Sequence, residues 1–257
     1  MRQCITLGPK ESFSDLCYQT FLKNTYTVRF VPFLHGMLDY LNEDTDVLLP
    51  IENSTDGFIQ STLDDLIRHN GKIIKTFKLP IAFACVGDLS QANECFVTFA
   101  ALQQCQKFLK QHEHLTLHMS PSNSEAYHQR SHHSVAIVPM HMVQPSDVHQ
   151  ANIQDHESNH TRFALISMRE PLSKGSTMAC VITPFEDRPG LLYELLEVFQ
   201  QYQLNLSAIM SRPTGEVAIR YHFYLEIALP QRITQENLET LKVIIEKHFA
   251  FKYLGRY

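Results

Sequence analysis

The amino-acid sequence predicts an α/β chain of two lobes, followed by a smaller α+β unit of βαββαβ order. Three observations carry that prediction. Strand-like and helix-like segments alternate from the amino terminus, the rhythm of a sheet covered by helices. A short polar stretch, Lys174-Gly175-Ser176, then interrupts the pattern. Beyond it, residues 177–257 read strand, helix, strand, strand, helix, strand.

The elements follow in order. Cys4 to Leu7 reads as a strand, Gly8-Pro9 as a loop, and Ser14 to Lys23 as a helix. Tyr26 to Val31 and Asp46 to Ile51 read as strands on either side of a helical Leu34 to Leu41. Thr62 to His69 is predicted helical, with Leu63, Leu66 and Ile67 on one side. The apolar run Leu79 to Val86 reads as one buried strand and Phe96 to Leu109 as one helix. Leu115 to His118, Val135 to Val138 and Thr161 to Met168 complete the strands. The predicted lobes are 1–78 with 159–174, and 79–158. The chain crosses between them near Lys75 to Pro80 and again before Thr161, which predicts a cleft at the carboxyl ends of strands. In the last segment, Ala179 to Thr183 is a strand, and Asp187 is placed to cap a helix striped by Leu191, Leu192, Leu195, Leu196 and Phe199. Leu206 to Met210 and Val217 to Leu229 are strands, the second strongly period-two. Thr234 caps a helix carrying Leu238, Leu241, Ile245 and Phe249, and Phe251 to Leu254 closes the unit.

Composition excludes several classes. Apolar residues make up 44% of the 257, which is a globular and not a disordered composition. A net charge of −5 leaves no basic footprint for nucleic acid or an anionic membrane. No apolar run approaches the ~20 residues of a spanning helix. The first residues pass directly into a strand, with no signal peptide. The 6 cysteines are scattered without a Cys-x-x-Cys pair, as for reduced thiols in a cytoplasm. Of 14 histidines, many lie between His112 and His160, but none forms a helical His-x3-His beside a further ligand, and no metal site is predicted.

Several clusters could carry chemistry. In Asn159-His160-Thr161-Arg162-Phe163, Thr161 offers a hydroxyl that donates and accepts, and Arg162 a forked donor for a carboxylate. In Pro50-Ile51-Glu52-Asn53-Ser54-Thr55-Asp56-Gly57, just past a strand, Asn53 can donate to a hydroxyl or carboxylate, and Gly57 suits a tight turn. Ser12-Phe13-Ser14 follows Gly8-Pro9-Lys10 at a helix start, as either an anion site or an ordinary N-cap. Gln104, in Leu102-Gln103-Gln104-Cys105, is equally read as a solvent-facing glutamine or a site residue.

In their order and spacing these segments, with Arg188-Pro189-Gly190-Leu191-Leu192 and Met210-Ser211-Arg212-Pro213 further on, resemble the prephenate dehydratase family with its C-terminal ACT regulatory domain. The resemblance covers essentially the whole chain. It implies a periplasmic-binding-protein-like, two-lobed catalytic domain over 1–174 and a ferredoxin-like ACT domain over 177–257. It implies a monofunctional enzyme that converts prephenate to phenylpyruvate, carbon dioxide and water in phenylalanine synthesis, without metal or cofactor. By carry-over, Thr161 would stabilise the departing hydroxyl, with Asn53 and Gln104 orienting the substrate. Ser12, Ser14, Glu52, Ser54, Thr98, Ser122, Ser124, Arg162 and Phe163 would bind it. Arg188, Pro189, Gly190, Leu191, Leu192, Met210, Ser211, Arg212 and Pro213 would bind phenylalanine as effector. The implied assembly is a homodimer or homotetramer, through both domains, in the cytoplasm.

The sequence departs from the family pattern at named places. Glu11 stands where the family has glycine, and Ser12 where it has threonine. Aligned without gaps, Val97, Thr98 and Phe99 replace Ser-His-Pro. Val138 and Pro139 stand where small residues or a serine are usual, and Met210 replaces a glutamate. Two other readings therefore stand beside the first: a weakened homologue that senses a small anion or amino acid, and a dehydratase of arogenate, the aminated analogue.

Overall fold

Residues 1–170, 175–186, 188–215 and 221–257 are described by a computed structural model. In chain order, β1 (Arg2–Leu7), α1 (Phe13–Phe21), β2 (Tyr26–Val31), β3 (Thr45–Asn53), β4 (Gly57–Phe58), α2 (Gln60–Arg68) and β5 (Lys72–Pro80) come first. Next are β6 (Phe83–Val86), β7 (Glu94–Val97), α3 (Phe99–Gln104), α4 (Gln106–Gln111), β8 (Thr116–Met119), α5 (Asn123–Gln129), β9 (Ser134–Pro139), β10 (His149–Ala151) and β11 (His160–Ser167). The last are β12 (Thr177–Pro184), α6 (Leu191–Gln201), β13 (Asn205–Pro213), β14 (Tyr221–Ala228), α7 (Gln235–Ile245) and β15 (Phe249–Arg256).

These strands make three sheets. The first runs β2-β1-β3-β11-β5, with β4 paired to β3. The second runs β10-β6-β9-β7-β8 and mixes parallel with antiparallel pairs. The third runs β13-β14-β12-β15, and all of its pairs are antiparallel. The chain is thus α/β with mixed sheets, ending in a βαββαβ segment. By packing it divides into two compact units. One holds Met1–Leu34, Leu48–Ile59 and Phe77–Phe163; the other holds His35–Val47, Gln60–Thr76 and Ala164–Tyr257. Strands β3, β5 and β11 each change unit partway along.

Local chemistry sets the element ends. Ser12, Thr98, Ser122 and Thr234 each cap a helix by accepting from the N–H three residues on, so four orphan donors are satisfied by hydroxyls. In the first unit, strands β6 and β9 and helix α5 enclose Ala84, Val86, Ala126, Ala136, Val138 and Met142. In the second, α6 and α7 lay Leu191, Leu195, Phe199, Leu241 and Ile245 onto Cys180, Ile182, Leu225 and Ile227 of the four-stranded sheet. The same unit holds α2 at its middle and at its carbonyl end. Arg212 of β13 donates through Nε and Nη2 to the two oxygens of Asp64, each at 2.8 Å. That forked pairing holds the Asp64 carboxyl below its ordinary range. Lys252 Nζ of β15 donates to the Ile67 and His69 carbonyls at 2.7 Å, satisfying acceptors that the helix end leaves open.

Several predicted elements are corrected. Phe96 to Leu109 is not one helix. Cys95 and Val97 are fully buried in β7, between β8 and β9, and the helix starts only after Thr98. It breaks again at Cys105, whose φ of −126° is non-helical. Leu79 to Val86 is two strands, because Pro80 lacks the N–H a ladder needs. Leu34 to Leu41 yields only a 3₁₀ turn at Met37–Tyr40, after Gly36 in the left-handed region at φ 78°. Phe249 begins β15 instead of ending α7. The N-cap of α6 is Gly190, at φ 86°. The Asp187 cap, residue 174 of the predicted linker and the start of the strand predicted from Val217 lie outside the described residues. All six cysteines are free and buried, and burial pushes the Cys17, Cys85 and Cys95 thiols up to about 12. Among the described residues no helix is long and apolar enough to cross a membrane.

Gly255 in β15 adopts φ 132°, and a Cβ there would lie 2.2 Å from the Ile73 carbonyl oxygen. Both the backbone conformation and the contact forbid a side chain. Gly255→Ala should lower unfolding free energy by at least ~2 kcal/mol in urea denaturation; an unchanged midpoint would contradict this placement.

Candidate active site

β3 ends at Asn53 and the chain folds back at once. Asn53 pairs with Gly57 and Glu52 with Phe58, and Gly57 takes the left-handed φ of 79° that the turn requires. Inside the turn, the N–H groups of Thr55 and Asp56 donate to Asn53 Oδ1 at 2.9 and 3.2 Å. The Thr55 hydroxyl donates to the same oxygen at 2.6 Å. Backbone N–H groups accept nothing, so Oδ1 must face the turn and Nδ2 must face away. It faces the start of β11, where it donates to Asn159 Oδ1 at 3.1 Å, to the His160 carbonyl at 3.3 Å and to Thr161 Oγ1 at 3.1 Å.

The orientation passes down the line. Asn159 Oδ1 accepts from Asn53 and from Ser54 Oγ, at 3.1 and 3.4 Å. Its Nδ2 therefore points to Gln104 Oε1, at 2.8 Å. Gln104 Nε2 then donates to Asp56 Oδ2 at 3.2 Å. Three carboxamides thus run from an aspartate to a threonine hydroxyl, and each polarises the next. Asn53 and Asn159 are only 7% and 3% exposed, so these bonds act in a weakly screened setting. Thr161 Oγ1 accepts from Asn53, and among the described residues nothing takes its own proton. The result is a hydroxyl fixed in place with its O–H free to donate outward.

Of the sequence-predicted residues, Asn53, Ser54, Gln104 and Thr161 meet in this network. Arg162 is already engaged: Nε and Nη2 both reach Glu52 Oε2 at 2.9 Å, with the Phe58 ring 5.5 Å from the guanidinium. Phe163 is 1% exposed and belongs to the core of β11; its ring is not presented to a ligand, which corrects the contact expected of it. Ser14 is 5% exposed, inside α1. Ser12, Thr98, Ser122 and Ser124 gather elsewhere, around a cavity of about 510 Å³ that Lys10 and Glu11 also line. The hydroxyl at the end of β7 is that of Thr98, which donates to Asn123 Oδ1 at 3.1 Å; Val97, before it, is fully buried in the strand. Val138 and Pro139 are buried in β9.

Three participants were not singled out from the sequence: Asn159, Thr55 and Asp56. The signal was there. Asn159 opens the run that contains Thr161, and Asp56 stands before the glycine of the Asn53 turn.

In the second unit, Arg188, Gly190, Leu191 and Leu192 line a cavity of about 220 Å³ with Tyr221 and Phe223. Arg188 binds both oxygens of Glu194 at 2.7 Å and Glu186 at 2.8 Å. These hydrogen bonds hold the Glu194 carboxyl below its ordinary range. Met210, Ser211 and Pro213 are not among its lining; they lie on β13, opposite Tyr224, Phe223 and Tyr221 of β14. Arg212 is the residue that binds Asp64.

Fold and site together define an α/β protein with an oriented, uncharged donor set where a strand begins. The chain belongs to the prephenate dehydratase family, whose model matches residues 4–171. It is 28% identical to the prephenate dehydratase of Methanocaldococcus jannaschii, over 93% of this chain and 96% of that one. The prephenate dehydratase structure from Staphylococcus aureus superposes with a TM-score of 0.86 at 25% identity, covering 99% of each chain. That of Arthrobacter aurescens, solved in complex with L-Phe, gives 0.82 at 25% identity, covering 99% of this chain and 89% of that one.

Asn159→Ala should leave Asn53 and Gln104 each short of a buried partner, at ~1–3 kcal/mol per group. Chemical denaturation should register a loss of at least ~1 kcal/mol; a loss within error would show that the amide line is not a unit.

Proposed function

We propose that the chain catalyses the decarboxylating dehydration of prephenate to phenylpyruvate, carbon dioxide and water, in phenylalanine biosynthesis. In this reaction the bond from the ring to its carboxylate breaks and its electron pair enters the ring. The ring becomes aromatic as the opposite C–O bond breaks, and the departing hydroxide takes a proton to leave as water. The family membership supplies the reaction; one observation supplies the chemistry. Asn53 donates to Thr161 Oγ1 and so turns the threonine O–H outward, where it can donate to the leaving oxygen. A threonine is too weak an acid to surrender its proton, so its role is hydrogen-bond stabilisation with solvent as the final proton source. Asp56, at the far end, accepts from Gln104 and so fixes which way round the amides sit. Residues 1–174 are read as a two-lobed, periplasmic-binding-protein-like catalytic domain. Buried reduced thiols and the biosynthetic role favour a cytoplasmic location.

The βαββαβ segment over 177–257 is read as an ACT regulatory domain that binds phenylalanine. The cavity behind Arg188 and Gly190 supports this, as does the L-Phe complex of the Arthrobacter relative. β13 is an edge strand of nine residues that carries the second motif. Pairing of two such edges would make a homodimer and bring both motifs to one interface, and two such dimers joined through the catalytic domains would make a homotetramer.

Two measurements test the reading. Release of phenylpyruvate from prephenate should be present in the wild type and fall ~10²–10³-fold in Thr161→Ala, with unchanged circular dichroism. Asn53→Asp, which replaces the donor by an acceptor and captures the Thr161 proton, should be at least as severe. No turnover in the wild type would leave a sensor that binds without reacting. For regulation, calorimetry should show phenylalanine binding at millimolar levels or below, and coupling is reciprocal, so a substrate analogue should weaken that binding by the factor with which phenylalanine inhibits. Absence of binding would remove the regulatory role.

A further inference from the structure

We propose that the cavity between α7 and β15 binds a small aromatic carboxylate that carries no amine, its acid group held by Lys72 and Arg256 and its ring laid against Phe251 and Tyr253. The cavity lies wholly within the second unit and measures about 480 Å³, the size of a small-molecule site. Met178, Leu238 and Leu241 complete its apolar lining. Phenylpyruvate is one member of the class, but the inference stands without the dehydratase reading.

A break in strand register builds the site. Phe251 lies opposite Ile182, Tyr253 opposite Cys180 and Arg256 opposite Met178. Strict alternation would put residue 255, a glycine, on the face that Phe251 and Tyr253 share. The bulge between the Cys180 and Ala179 pairs adds one residue to β15 and turns Arg256 to that face instead. The guanidinium arrives there uncommitted. Arg68, Arg130, Arg162, Arg169, Arg188 and Arg212 each bind a carboxylate of this chain. Arg256 instead donates through Nε to the Gly175 carbonyl at 2.6 Å, and its Nη atoms have no partner among the described residues. Lys72 Nζ donates to the Tyr253 carbonyl at 3.0 Å and stands 4.7 Å from the centre of that ring, with no carboxylate bound to it among the described residues. Both cations are half-buried, where charge is weakly screened. The carboxylates at the rim, Glu170 and Glu239, are exposed, and Lys242 lies one turn from Glu239. The inner charge is thus positive and sits beside two aromatic rings, the complement of a ring that bears one carboxylate. An ammonium would have to enter beside two cations.

The chain has no tryptophan, so Gln235→Trp puts a single reporter at the cavity, on an exposed position of α7. With the full chain and hydrocinnamate as probe, its emission should change saturably at millimolar levels or below. Hydrocinnamamide, which has the ring without the charge, should bind about tenfold or more weakly. Calorimetry on the chain without the tryptophan should give the same preference of acid over amide, lost in Arg256→Gln and kept in Arg188→Gln and Thr161→Ala. No saturable binding of hydrocinnamate by the wild type overturns the proposal. So does equal binding of acid and amide, or a dissociation constant that Arg256→Gln leaves within about twofold. Phenylalanine binding to the reporter variant as tightly as hydrocinnamate overturns the stated class. Should Arg256→Gln not fold, Lys72→Gln carries the same expectation and the same refutation. None of these outcomes bears on prephenate turnover, which is measured separately.

Discussion

Two backbone N–H groups, of Thr55 and Asp56, decide the chemistry of the site. They can only donate, so the Asn53 amide can sit only one way round. From that follow the orientations of Asn159 and Gln104 and the direction in which the Thr161 hydroxyl points. A catalytic hydroxyl gains little from strength, since a threonine is a poor acid in any setting. It gains from being already turned toward the place where charge appears, with no reorganisation left for the moment of reaction. The turn that closes at Gly57 is therefore more than a link between β3 and α2. Its geometry is the first member of a line of bonds that ends at the Thr161 hydroxyl.

In the second unit the organising contacts are ionic. The forked pairing of Arg212 with Asp64 fixes α2 at its middle, and Lys252 caps its carbonyl end. Burial and the neighbouring Lys72 hold Lys252 below its ordinary range. It remains useful because two carbonyls need its protons. Arg188 is bound to Glu186 and Glu194 in the same unit. Both arginines of the sequence motifs are thus occupied by carboxylates of this chain. An arriving effector carboxylate would compete with Glu194 for Arg188 instead of finding an idle cation.

Much of the molecule was legible in the sequence where one signal dominated. Apolar runs bounded by turns placed β1, β2, β3, β9 and β11. A hydroxyl cap placed α7, whereas the cap of α1 is Ser12 and not the expected Ser14. Motif order brought Asn53, Gln104 and Thr161 to one site. Reading failed where signals competed. Phe96-Val97 continues a helical stripe on paper, but burial between two parallel neighbours makes it strand, and Thr98 becomes a cap. Arg162 and Phe163 looked like ligand contacts because their residue types suit ligands; Glu52 and the core had prior claims on them. Asn159 stood in the run that carries Thr161, but its link between Asn53 and Gln104 shows only once those residues, distant in sequence, are beside it. β14 was found by alternation, whereas the short β4 and β10 have too few residues to show any.

An amide line is also chemically perishable. Hydrolysis of a single carboxamide, at Asn53, Asn159 or Gln104, replaces an N–H₂ donor by a carboxylate and reverses the sense of one bond while leaving the fold untouched. Amide side chains are among those that heat attacks first. One such event at Asn53, Asn159 or Gln104 adds a single negative charge, and that charge is its visible trace.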